Sequence, residues 1–217
     1  MEEKNFVAAL LKDKQLSTAQ LSQYLLAQDH LYRKISLEQQ ADLIAKAIQC
    51  GQAAAADFSQ RLPEYLQDQG IIVEPFSEET KKNQFNFVLA EFQLPNKIRL
   101  NERLINEGAA LIARQSMLSF FTAAAPLTDI LLAHEIFHYI EHQQQLFTLQ
   151  RQLNYKTGPF KRQARVYALS EIAAGSFVKS LLQLDFHPLL LNPLLIYSVD
   201  PEFSYTLLTD FEKHVSL

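Results

Sequence analysis

Cysteine is nearly absent from this chain of 217 residues. With Cys50 alone there can be no intrachain disulfide and no zinc knuckle built from paired cysteines. Its neighbours Gln49, Gly51 and Gln52 supply no activating base, so an inert, partly buried thiol is expected. Long apolar runs are also missing. The stretch from Leu189 to Val199 is broken by Asn192 and Pro193, and no run approaches the roughly 18 residues of a membrane span. The opening Met-Glu-Glu-Lys-Asn is acidic where a signal peptide would be basic. A soluble, cytoplasmic protein without a membrane partner is therefore expected. A net charge of −4 argues against general affinity for nucleic acid. Internal repeats, low-complexity linkers and a recognisable helix-turn-helix or sensor domain are all lacking.

What is present is a globular composition, 48% hydrophobic and 20% charged. The length fits one domain, or one domain with an appended subdomain, and suffices for a sizeable core without staples. Residues 1–70 read as helical. Ser17 with Gln20, and Ser36 with Gln39, fit capping boxes that open amphipathic helices. Ala53 to Ala56 prolong the second of these, and Pro63 suits the first turn of a short helix ending near Gly70. Ile71-Ile72-Val73 then reads as a short strand closed by Pro75. Phe85, Phe87, Leu89 and Phe92 suggest a longer strand, which Pro95-Asn96 turns into Lys97 to Asn101 as an antiparallel hairpin. Ala109 to Ala125 is partly helical. Residues 147–166 read as a connector turning at Gly158-Pro159, with Arg151, Lys156, Lys161, Arg162 and Arg165 and no acid. A helix is expected over 162–184, and a short apolar helix and tail after His187-Pro188 and Asn192-Pro193.

The chemistry centres on His134-Glu135-Ile136-Phe137-His138, an H-E-x-x-H motif within a helix expected over 127–145. Histidines four apart lie about 40° apart around a helix and about 6 Å along it, so both imidazoles can reach one metal ion. Glu135, between them, can address a water on that metal without ligating it. A catalytic zinc usually takes a third protein ligand. His142 lies about 12 Å along the axis from His134, too far to share the ion, and reads as a supporting, cleft or exposed residue. Glu141 is turned about 100° from Glu135 and is expected to face solvent. Glu171 is the stronger candidate. It emerges from an apolar helical stripe with Tyr167, Ala174 and Val178, and a cation would offset the cost of burying it. The small Ala174 and Gly175 would let the metal helix approach closely. The alternative is a salt bridge from Glu171 to Arg165 or Lys179.

The pair H-E-x-x-H and Glu171-x-x-Ala174 resembles the gluzincins. More closely, Ala133, His134, Glu135, His138 and His142, followed by Glu171-x-x-Ala174-x-x-Phe177-x-x-x-Leu181-Leu182, are similar to the motifs of the ImmA/IrrE-like metallopeptidases. The resemblance spans about half the chain, from Gly70 to about Leu184. Two departures stand out: Phe137 replaces the family's glycine and Val178 its alanine. The resemblance implies an α+β, zincin-like domain over 71–217, with a small antiparallel or mixed sheet, and the helical pattern of residues 1–70 marks an N-terminal helical subdomain. It further implies Zn²⁺ on His134, His138 and Glu171, with Glu135 as general base. The substrate would be a protein or peptide, in the characterised family a repressor-type transcription factor. Tyr155, Tyr167 and His187 are candidate oxyanion donors, and the strand around 97–103 a candidate edge for pairing with an extended substrate. A metallo-amidase for small substrates would use the same chemistry and differ in having a closed pocket. A regulatory or interaction protein with a vestigial metal site is the third reading, against which the retention of Glu135 counts. The basic connector is most simply a solvated loop, and otherwise a contact for an acidic substrate or nucleic acid.

Overall fold

The computed structural model describes residues 2–77 and 87–215. Helix α1 (Glu3–Asp13) is followed by α2 (Thr18–Ala27) and α3 (Leu37–Asp57). The capping boxes at Ser17 and Ser36 are both formed, each hydroxyl accepting from the backbone N–H three residues on. α4 (Leu62–Asp68) opens with Pro63 in its first turn. A three-stranded sheet comes next: β1 (Ile72–Phe76), β2 (Ala90–Gln93) and β3 (Lys97–Asn101), in the order β1-β3-β2. β2 and β3 form the expected antiparallel hairpin, and β1 joins the other side of β3 in parallel. Of the residues expected in the longer strand, Phe85 lies outside the described residues, while Phe87 and Leu89 precede β2.

The result is a mixed α+β fold. α5 (Glu102–Arg114) and a 3-10 segment (Ser116–Thr122) lead into α6 (Leu127–Gln144), which carries H-E-x-x-H. The stretch Ser116–Gln144 has, contrary to expectation, the length and mean hydropathy of a membrane span. In this fold it is broken ahead of α6 by Pro126, and Leu118, Phe121, Ile130, Ile136 and Phe137 are buried in the core. Gln145, in the left-handed region at φ 50°, ends α6.

Two further expectations are corrected beyond α6. The supposed connector is a short helix, α7 (Phe147–Gln150), and a two-stranded ribbon of β4 (Gln152–Thr157) and β5 (Phe160–Arg165). The helix expected over 162–184 begins only after that ribbon, as α8 (Ala168–Leu181). α9 (Leu191–Ile196) and α10 (Pro201–Val215) follow.

The N-terminal helices share a core with the rest of the chain. Phe6, Val7, Leu10 and Leu21 are buried in one cluster with Ile98, Ile136, Phe177 and Phe211. α3 runs against α8 so closely that a Cβ at Gly51 would lie 2.1 Å from the Ala173 carbonyl oxygen. The close approach expected at Gly175 has a different partner: its missing Cβ makes room for the ring of His187, 2.9 Å away, and not for α6. α8 is thus wedged between α3 and α6, and the position of its side chains is set from both sides.

Candidate metal centre

α6 presents His134 and His138 on one face, their rings edge to face with centroids 4.8 Å apart. α8, packed alongside, brings Glu171 to the same point. His134 Nε2 lies 3.1 Å from His138 Nε2 and 3.2 Å from Glu171 Oε2, and His138 Nε2 lies 3.6 Å from Glu171 Oε1. Donors about 2.0–2.1 Å from a tetrahedral ion are separated by roughly 3.3–3.4 Å. These separations lie near that value, Glu171 turning a different oxygen to each ring, and one ligand atom from each residue lies within 4.8 Å of the others, close enough to bind a metal ion. These residues form the one such cluster found among the described residues. Glu171 is half exposed, more open than its apolar stripe implied. Its partners are the two histidines; Arg165 contributes only a longer-range attraction.

The far side of His138 holds a feature that the sequence reading misplaced. Glu141 is buried at 3% exposure and does not face solvent. Its Oε2 lies 3.4 Å from His138 Nδ1 and accepts a 2.6 Å hydrogen bond from Ser170 Oγ. Its Oε1 accepts from the Thr148 hydroxyl and has Arg165 Nη2 at 3.8 Å. A carboxylate behind a ligating histidine fixes the ring's orientation and raises its basicity. The spacing held the clue: Glu141 follows His138 by three residues and so shares its side of the helix.

Glu135 is buried at 6% exposure between the His134–His138–Glu171 cluster and β2, and accepts a hydrogen bond from the Phe92 backbone N–H. Burial pushes its carboxyl above the usual range, against the pull of His134 and His138. For His138, burial opposes the charged form, yet Glu141, Glu171 and Glu135 together hold the imidazole at about 9. Glu171 is held down at about 2: the hydrogen bond from His134 and the charges of both histidines outweigh its desolvation. With both imidazoles neutral, as ligation requires, the carboxylates of Glu135, Glu141 and Glu171 outnumber the one guanidinium of Arg165, a balance that suits a cation.

The remaining candidates are dispersed. His187 is 2% exposed and lines the cavity beside His134 and Glu171. Its Nδ1 accepts from the Leu189 N–H at 3.2 Å, which puts the proton on Nε2, and Nε2 is buried without a partner. Desolvation, with Lys179 and His134 adding to it, keeps this imidazole neutral, its pKa lowered to about 3. Tyr167 is exposed at the rim of a second cavity, its ring 5.2 Å from the Arg165 guanidinium. His142 is exposed at the same rim. Tyr155 lies on β4 against the smaller of two core clusters and lines neither cavity. The strand expected as a free edge, β3, is central; among the described residues the edge facing Glu135 is β2. Cys50 is half buried, and desolvation raises its thiol pKa.

Compared with protein-family models, with curated proteins and with solved structures, the chain matches none.

Proposed function

We propose that this protein is a zinc-dependent metallopeptidase of the zincin type, a divergent relative of the ImmA/IrrE-like enzymes. The observation that carries the reading is the convergence of His134, His138 and Glu171 beside a buried Glu135. Bound by those three residues, Zn²⁺ would supply Lewis acidity toward a water and toward a scissile carbonyl. Glu135, its pKa raised by burial, takes the proton from the attacking water and passes it to the leaving amine. Glu141 and Ser170 hold the Nδ1 side of His138, keeping its Nε2 turned to the ligand cluster. A polypeptide substrate is favoured over a small amide because the ligands stand where two open cavities meet beside an edge strand. An extended chain can pair with β2 there.

The test is elemental analysis together with one substitution. The purified protein should carry one zinc per chain, and Glu135→Gln should keep the metal while abolishing hydrolysis of a denatured protein substrate. No zinc, or hydrolysis that survives the substitution, refutes the reading.

A further inference from the structure

Two cavities of about 650 and 540 Å³ meet at the metal ligands and share Ala90, His134, Glu135 and Glu171. The larger is walled by Leu25, Ile130, Leu189, Ile196, Phe203 and Leu207, and among the described residues its carboxylates are the shared Glu135 and Glu171, with no Lys or Arg. Its size falls within the range of pockets that enclose a ligand, so the largest natural side chains fit. His187 closes part of its wall, buried with its ring packed over Gly175. This cavity therefore asks for a bulky apolar group.

The smaller cavity is lined by the shared Glu135 and Glu171 and by Glu91, Glu141, His142 and Arg165. Arg165, its one Lys or Arg among the described residues, is also the last residue of β5. From there the ribbon carries Arg162, Lys161 and Lys156 on exposed positions, with no acid between 147 and 166. Lys156 and Lys161 are directly paired across the strands, and like charges so placed repel. No carboxylate partners either of them among the described residues. The ribbon region has five of the twenty Lys and Arg, leaving fifteen against twenty-four acids in the rest of the chain. It is thus a positive patch on a negative body. Along the strand, Lys161 lies roughly 14 Å from Arg165, about four residues of extended chain. A continuous polyanion such as nucleic acid would meet the negative body as well; a short acidic peptide segment need not.

Building on the peptidase reading, we propose that the cleft selects polypeptides with a bulky apolar residue at the metal centre and an acidic segment several residues away. The first sits in the pocket walled by Phe203 and Leu207, the second against the ribbon face that carries Lys156 and Lys161. The test uses zinc-loaded Glu135→Gln protein and fluorescent dodecapeptides, read by anisotropy. The parent peptide has a central Phe and a Glu cluster four to six residues off, in both orders. Phe→Ala should weaken binding roughly tenfold or more, and Glu→Gln should weaken it about as much while removing most of the salt dependence. The exposed double variant Lys156→Glu/Lys161→Glu should reproduce the Glu→Gln loss and leave the neutral peptide unaffected. Equal affinity across the peptides, no binding at millimolar concentration, or tighter binding of an oligonucleotide to the ribbon overturns the proposal. Zinc content and hydrolysis by the unsubstituted protein are measured in parallel. A zinc-bound, active protein without these preferences refutes the proposed selectivity alone; these preferences in a protein lacking zinc and hydrolysis refute the peptidase reading alone.

Discussion

Replacing Glu141 by Gln isolates the contribution of the carboxylate behind His138. The substitution is isosteric, and Ser170 and Thr148 can rotate their hydroxyls to suit an amide, so the side chain keeps its place. What disappears is the negative charge facing His138 Nδ1. Loss of such a partner typically costs 10–100-fold in metal affinity, about 1.4–2.7 kcal/mol. Competition between the protein and a chromophoric zinc chelator measures this directly, and thermal unfolding in EDTA reports whether the metal-free scaffold has changed. Glu141→Ala serves as a control, because it strands Ser170, Thr148 and Arg165 around a void and should lower the metal-free melting temperature. Zinc affinity equal to that of the parent in Glu141→Gln would show that His138 needs no anionic support, and the account of the site would fail there.

Three other predictions follow from the buried groups. His138, held at about 9 in the metal-free protein, must be neutral to ligate, so zinc binding at pH 7.5 should release about one proton and strengthen with pH up to about 9; calorimetry in buffers of differing ionisation enthalpy would refute this by finding no release. By the same shift, the imidazole's contribution to metal-free stability is complete below pH 6.5 and lost as pH rises through about 9. Asp13 is buried with both carboxylate oxygens unpaired, and burial, with Glu212 adding and Lys12 opposing, raises it to about 7. Its folded pKa exceeds the unfolded one, so stability falls between pH 4 and 7, and Asp13→Asn should gain about 2–4 kcal/mol at pH 8 and little at pH 4 in urea unfolding. An equal gain at both pH values would contradict it. Gly51→Ala should cost about 3 kcal/mol or more, because the added carbon meets the backbone of α8; an unchanged urea midpoint would contradict that packing.

The parts of the site legible in the sequence are those set by local geometry. Two histidines four apart share a helix face wherever the helix lies, and the isolation of Glu171 among apolar residues marked it as paired with something. Glu141 was obscure because its partners Thr148, Ser170 and Arg165 reach it from α7, α8 and β5, which only the fold brings together. The ribbon escaped notice for a related reason. In β4 only Leu153 is buried, and most of β5 is exposed, so neither strand shows the apolar alternation that betrays a half-buried sheet. The hairpin of β2 and β3 was readable from its turn residues, whereas the parallel docking of β1 on β3, which makes β2 the edge beside the cleft, depends on a crossover without a local signature.

The three candidate ligands are divided between two helices, with the imidazoles on α6 and the carboxylate on α8, and the intervening chain makes an excursion through α7 and the ribbon. An ion held by all three closes that excursion at its base, much as a covalent cross-link would. Chelation should then expose the tip near Gly158 to proteolytic nicking sooner than the rest of the molecule. Scarcity of the ion would govern the lifetime of the polypeptide as well as its chemistry.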